Sequence, residues 1–189
     1  MSRPHPSPLT RLPLLAGATA AVLTLGACGI LGGGGGAPSP RGTTARATFV
    51  NAQGQPAGTA TLTATDDGVF INAQLRGLPE GTHAMHLHQT GRCEPPFESA
   101  GGHFNPTERE HGFLNPAGQH AGDLPNITVR SDGTAAAEVY APGVRLSDGA
   151  NALLDGDGSA IVVHAGVDDY RSNPAGNAGP RIACGVVER

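Results

Sequence analysis

Lysine and tryptophan are missing from this sequence: all 12 basic residues are Arg, and aromatics make up 4% of 189 residues. No basic run occurs, and the formal net charge is −4. A nucleic-acid binder needs clustered cations to neutralise phosphates, so that class is excluded. A negative chain also repels small anions unless a local cation intervenes. Convincing helical periodicity is lacking, and the one long apolar stretch, Leu12 to Ala27, falls short of the roughly 20 residues a spanning helix needs. Gly (29) and Pro (16) are plentiful, which favours turns and short strands. The length suits one well-buried domain.

Cysteine is scarce and odd in number: Cys28, Cys93 and Cys184. Position accounts for the first. Residues 1–11 carry Arg3 and Arg11 and no acid, Leu12 to Ala27 is apolar, and Leu25-Gly-Ala-Cys28 follows. Basic, apolar and small-residue regions in that order form an export signal. The ending resembles a bacterial lipobox, which implies that residues 1–27 are removed and that Cys28 is lipidated, anchoring the protein to a membrane outside the cytoplasm. Losing Arg3 and Arg11 takes the formal charge from −4 to −6. Residues 28–44, with Gly32–Gly36 and Pro38-Ser-Pro40, have nothing to bury and read as a tether whose coil spans roughly 20–25 Å.

From residue 45 onward, short alternating runs are broken by turn residues. Strands are expected at Ala47–Val50, Thr59–Ala64, Val69–Leu75, His83–His88, Asn126–Arg130, Thr134–Tyr140, Ala160–His164 and Arg181–Val187. Eight antiparallel strands and no convincing helix make an all-β sandwich or barrel. Two stretches resist a strand pattern, about residues 91–125 and 165–180. Loops of that length in a compact domain are usually functional.

Six of the 8 histidines fall within residues 83–123. On a strand, His86 and His88 share one face while Met85 and Leu87 share the other. Alone, such a His-x-His pair is weak, since two exposed histidines arise readily by chance. His103, His111, His120 and Asp123 follow at intervals of 8, 9 and 3 residues. Three imidazoles and a carboxylate complete a tetrahedral Zn²⁺ set. His164 ends an Ile-Val-Val run and, standing alone, reads first as a hydrogen-bonded core histidine.

Taken in order, His86-Leu-His88, Gly101-Gly-His-Phe-Asn-Pro106, those spacings, the isolated His164 and Gly176-Asn-Ala-Gly-Pro-Arg-Ile-Ala-Cys-Gly185 resemble the copper/zinc superoxide dismutase family, from Ala45 to the C-terminus. The resemblance implies an eight-stranded Greek-key β-barrel or sandwich whose two long loops form the metal site. It implies copper on His86, His88, His103 and His164, and zinc on His103, His111, His120 and Asp123, one of each per subunit. His103 would bridge the two metals and, with Arg181, serve catalysis on superoxide. Asp168 would link a copper histidine to a zinc histidine, His83 would be structural, and Cys93 and Cys184 would form a disulfide. A homodimer joins the candidate partners. Two other readings stand beside dismutation: a non-enzymatic copper/zinc-binding protein on the same fold, and a disulfide-pinned β-sandwich binding module.

Overall fold

The computed structural model describes residues 41–189. The export signal expected at residues 1–27, the lipidation expected at Cys28 and the tether up to residue 40 lie outside the described residues.

Nine strands form: β1 (Thr44–Asn51), β2 (Pro56–Ala64), β3 (Gly68–Leu75), β4 (Gly81–His83), β5 (Met85–His88), β6 (Ile127–Val129), β7 (Ala135–Pro142), β8 (Ala160–His164) and β9 (Arg181–Glu188). The only helical turn among the described residues is the 3₁₀ segment Glu98–Ala100. Seven strands make one antiparallel sheet in the order β5-β8-β9-β1-β2-β3-β7, and β4 pairs with β6 in a second. Alternation explains the strands that have one buried face. In β7, Ala135, Ala137, Val139 and Ala141 are buried while the residues between them are exposed.

The expected strand His83–His88 is two strands in different sheets. Ala84 interrupts it by leaving the ladders: its N–H donates to the Gly166 carbonyl at 2.8 Å, and its own carbonyl accepts from His164 N–H at 2.9 Å. The chain thus passes from pairing with β6 to pairing with β8 across one residue, and the expected eight strands become nine.

The main core draws on both sheets, with Phe49, Leu62, Ile71, Met85, Leu87, Ile127, Val139 and Ile161 among its members. A smaller cluster of Phe97, Ala100, Ala160, Val162 and Cys184 lies beyond it. β8 is buried on both faces, Ile161 and Val163 in the main core, Ala160 and Val162 in the smaller one. That double burial accounts for its unbroken apolar run. Cys93 and Cys184 are joined by a disulfide with Cα atoms 5.6 Å apart, tying the long loop after β5 to β9.

Candidate metal centre

The centre begins on β5. Met85 and Leu87 enter the main core, so His86 and His88 face the other way. The loop after β5 turns back and lays its own backbone along that strand. Leu87 N–H donates to the Gly122 carbonyl at 2.9 Å, and the Leu87 carbonyl accepts from Phe104 N–H at 2.8 Å. These bridges put His103 opposite His88 and Asp123 opposite His86. Gly122 permits the approach, since a Cβ there would strike the Leu87 carbonyl and the Phe104 backbone. His164 arrives from β8 just past a register shift between Val163 and His164, an irregularity of the kind that re-aims a side chain.

His86, His88, His103 and His164 are all buried, and one ring nitrogen of each lies within 4.8 Å of those of the others. The second nitrogen of three rings is fixed by an acceptor. His88 Nδ1 donates to the Gly101 carbonyl at 3.0 Å, His164 Nδ1 to the Gly179 carbonyl at 3.1 Å, and His86 Nε2 to Asp168 Oδ2 at 2.8 Å. Acceptor-only partners place the proton on those atoms and leave lone pairs on His86 Nδ1, His88 Nε2 and His164 Nε2. Those three nitrogens and His103 Nε2 are buried without any hydrogen-bond partner. Four such nitrogens facing one another are costly unless a cation takes the lone pairs.

The second cluster lies entirely in the loop. Nδ1 of His103, His111 and His120 sits 2.8, 3.0 and 3.1 Å from Asp123 Oδ1, and His103 Nδ1 is 3.3 Å from His120 Nδ1. Ligand atoms at tetrahedral corners around an ion held at about 2.0 Å lie about 3.3 Å apart, so the donor set and its spacing fit zinc. Asp123 Oδ2 is held by the N–H groups of Gly112 and His120. His103 therefore offers Nδ1 to one cluster and Nε2 to the other.

Asp168 spans the two clusters. Oδ2 meets His86 Nε2, and Oδ1 meets His111 Nε2 at 2.9 Å. Gly176, at φ +62, packs its Cα against that second contact; a Cβ would collide with the carboxylate and the His111 ring. Arg181, opposite His164 in the β8–β9 register, donates from Nη1 to the Phe97 carbonyl at 2.6 Å and from Nη2 to the Gly101 carbonyl at 2.7 Å. Glu98 lies 3.7 Å away and is largely exposed. The ring nitrogens of His83 face the carbonyls of His164 and Pro79, both at 2.9 Å, so no lone pair is aimed at either cluster.

Burial and neighbouring rings hold His88, His103 and His164 neutral. Desolvation pushes His88 well below the usual imidazole value, with His103 adding to the effect. His103 falls to about 4, burial outweighing its bond to Asp123. Burial and then His86 take His164 to about 3. His111 goes the other way: burial opposes its charge, but Asp123 and Asp168 overcome that and raise it to about 9. For Asp123 and Asp168, burial favours the neutral acid, yet hydrogen bonds from the histidines keep both well below the usual carboxylate range.

Sequence reasoning did not find the carbonyls of Phe97, Gly101 and Gly179, nor Asn126 and Tyr170, which hold Asp168. Gly101 begins the motif at residues 101–106 and Gly179 lies within that at residues 176–185, while Asn126 is only the first residue of an expected strand.

The family described as copper/zinc superoxide dismutase (SODC) matches residues 56–187. "Superoxide dismutase [Cu-Zn] 2" of Aquifex aeolicus is 49% identical over 146 residues, covering 76% of this chain and 85% of the relative. "Superoxide dismutase [Cu-Zn]" of Caulobacter vibrioides is 48% identical over 139 residues, 71% of this chain and 80% of the relative. Among solved structures, a double mutant of a SOD-like protein from Bacillus subtilis superposes with a TM-score of 0.73 at 44% identity, covering 76% of this chain and 97% of the other. The family match runs from β2 to β9 and takes in both histidine clusters, and with these identities the chain belongs to the copper/zinc superoxide dismutase family.

Proposed function

We propose that this protein is a superoxide dismutase, converting two superoxide anions and two protons to O₂ and H₂O₂. Copper is held by His86, His88, His103 and His164, and zinc by His103, His111, His120 and Asp123, one of each per subunit. The observation that carries this is the convergence of four buried imidazole nitrogens with no hydrogen-bond partner. Four nitrogens suit copper, and three nitrogens with a carboxylate oxygen suit zinc. Copper supplies a one-electron couple, Cu(II)/Cu(I). The protein's residues do the rest. Asp168 fixes the ring orientations of His86 and His111. His103 Nε2 faces the copper set and is the atom able to hold a proton for the forming peroxide. Arg181 sets a cation beside His88 and His164, and its Coulombic effect reaches both.

That cation also argues against a metal binder without turnover. The chain is negative overall, and its loop at residues 165–180 has one cation, Arg171. Attraction of a small anion therefore falls to Arg181 and the metals. Copper, zinc and superoxide turnover measured on the same purified protein test the reading. Both metals with turnover are expected; copper without turnover, or no copper, overturns it.

The same proposal places the protein outside the cytoplasm, with residues 1–27 an export signal, Cys28 lipidated, 28–44 a tether and 45–189 the catalytic domain. The Cys93–Cys184 bond supports this, because such bonds persist in oxidising compartments. Mass spectrometry of the mature N-terminus should find acylated Cys28. A chain that keeps residues 1–27 overturns the anchor.

A further inference from the structure

Asp168 lies between the two clusters on a loop, so something must hold its backbone still. Its carboxylate is fully committed: Oδ2 to His86, Oδ1 to both His111 and the N–H of Tyr170, the last at 2.7 Å. The backbone is gripped by one side chain. Asn126 Oδ1 accepts from Asp168 N–H at 2.9 Å, and Asn126 Nδ2 donates to the Asp168 carbonyl at 3.0 Å. The amide thus meets Asp168 as a neighbouring β-strand residue would, exchanging both backbone hydrogen bonds. Asn126 is placed in turn by Tyr170, whose hydroxyl accepts from Asn126 N–H at 2.8 Å and whose ring packs 5.2 Å from Phe113. Only Asn offers a donor and an acceptor at this reach; Asp lacks the donor, and Ala lacks both.

We propose that Asn126 is a positioning residue for the metal centre, setting the Asp168 carboxylate between His86 and His111 through a two-point grip on the Asp168 backbone. This rests on the metal assignment above and extends it to a residue that touches neither cluster. Asn126 immediately precedes β6, so the grip ties the loop after β8 to the start of that strand. Partners of metal ligands commonly contribute 10- to 100-fold in affinity, and a residue acting through such a partner should contribute at the low end.

The test is zinc affinity of the full-length mature protein by chelator competition, together with the EPR spectrum of bound Cu(II). Asn126→Ala should bind zinc about 5- to 10-fold more weakly and alter the copper spectrum as the His86 ring is released. Asn126→Asp, which keeps the acceptor, should fall between Ala and the parent. Tyr170→Phe removes only the hydroxyl and should weaken zinc about twofold. Ile71→Val, a core truncation on β3, supplies the comparison for general destabilisation and should leave zinc affinity and the copper spectrum unchanged. Zinc affinity in Asn126→Ala equal to that of Ile71→Val overturns the proposal, as does an unchanged copper spectrum. His111→Ala separates the two layers: should it retain zinc at the parent affinity, the metal assignment fails, whatever Asn126 does.

Discussion

His86, His88 and His164 stand on strands β5 and β8, whereas His103, His111, His120 and Asp123 all belong to the loop between β5 and β6. The strand-borne rings have their second nitrogens fixed by carbonyls or Asp168, and their first nitrogens aim at one another with no partner. The loop-borne set has already closed on a carboxylate, with three rings gathered around Asp123 Oδ1. The first set is placed by β-ladders and leaves its inward nitrogens unpartnered, while the second gathers its Nδ1 atoms on a carboxylate and depends on the loop for its shape.

The largest test of that contrast is the disulfide. Cys93→Ser opens a 91-residue connection and should cost about 4 kcal/mol of folding stability, read from the urea midpoint. Zinc affinity should fall further than copper affinity, because the freed segment carries the loop set; equal losses would erase the distinction. Next comes His103→Ala, which removes the ring both sets share. Turnover should drop on the order of 100-fold or more, with both metals weakened. A variant that loses only one metal would mean the sets are independent.

Arg181→Ala should leave both metals in place and lower turnover about 10- to 100-fold, with a flatter dependence on ionic strength. Stopped-flow assays at low and high salt would show it. His120→Ala touches only the loop set, so zinc affinity should fall about tenfold while copper binding stays within about threefold.

The smallest effect is on pH, where His103 and His164 pull one way and His111 the other. His103 and His164 titrate at about 4 and about 3 when folded, below the usual 6.5, so the unfolded chain binds more protons as pH falls. Their contribution is full above about 6.5 and is lost toward 3. His111 is raised to about 9, so its contribution is full below 6.5 and is lost as pH rises through 9. The melting temperature of the metal-free protein should peak between these limits. His164→Ala should flatten the acid side and His111→Ala the alkaline side; a curve insensitive to both would break the comparison.

Much of this was legible in the sequence because imidazoles and carboxylates are rare and their intervals distinctive. The strands were legible where one face is buried, as in β7. The break at Ala84 was not, because the apolar pair Ala84-Met85 does not by itself end a strand and the interruption lies in where one N–H and one carbonyl find partners. The orienting carbonyls of Gly101 and Gly179 were hidden for the same reason: every residue has such a group, and only folding selects which ones count. Asn126 carries a polar amide at the end of a turn-rich stretch, where Asn is ordinary, so nothing local marked it.

The loop that lies along β5 has a second consequence. β5 is an edge strand of the seven-stranded sheet, and the outward N–H and carbonyl of Leu87 are taken up by Gly122 and Phe104. The segment that gathers the ligands is therefore also what blunts an edge strand, the part of a sheet most open to pairing with other chains. Holding the loop in place guards solubility as well as chemistry.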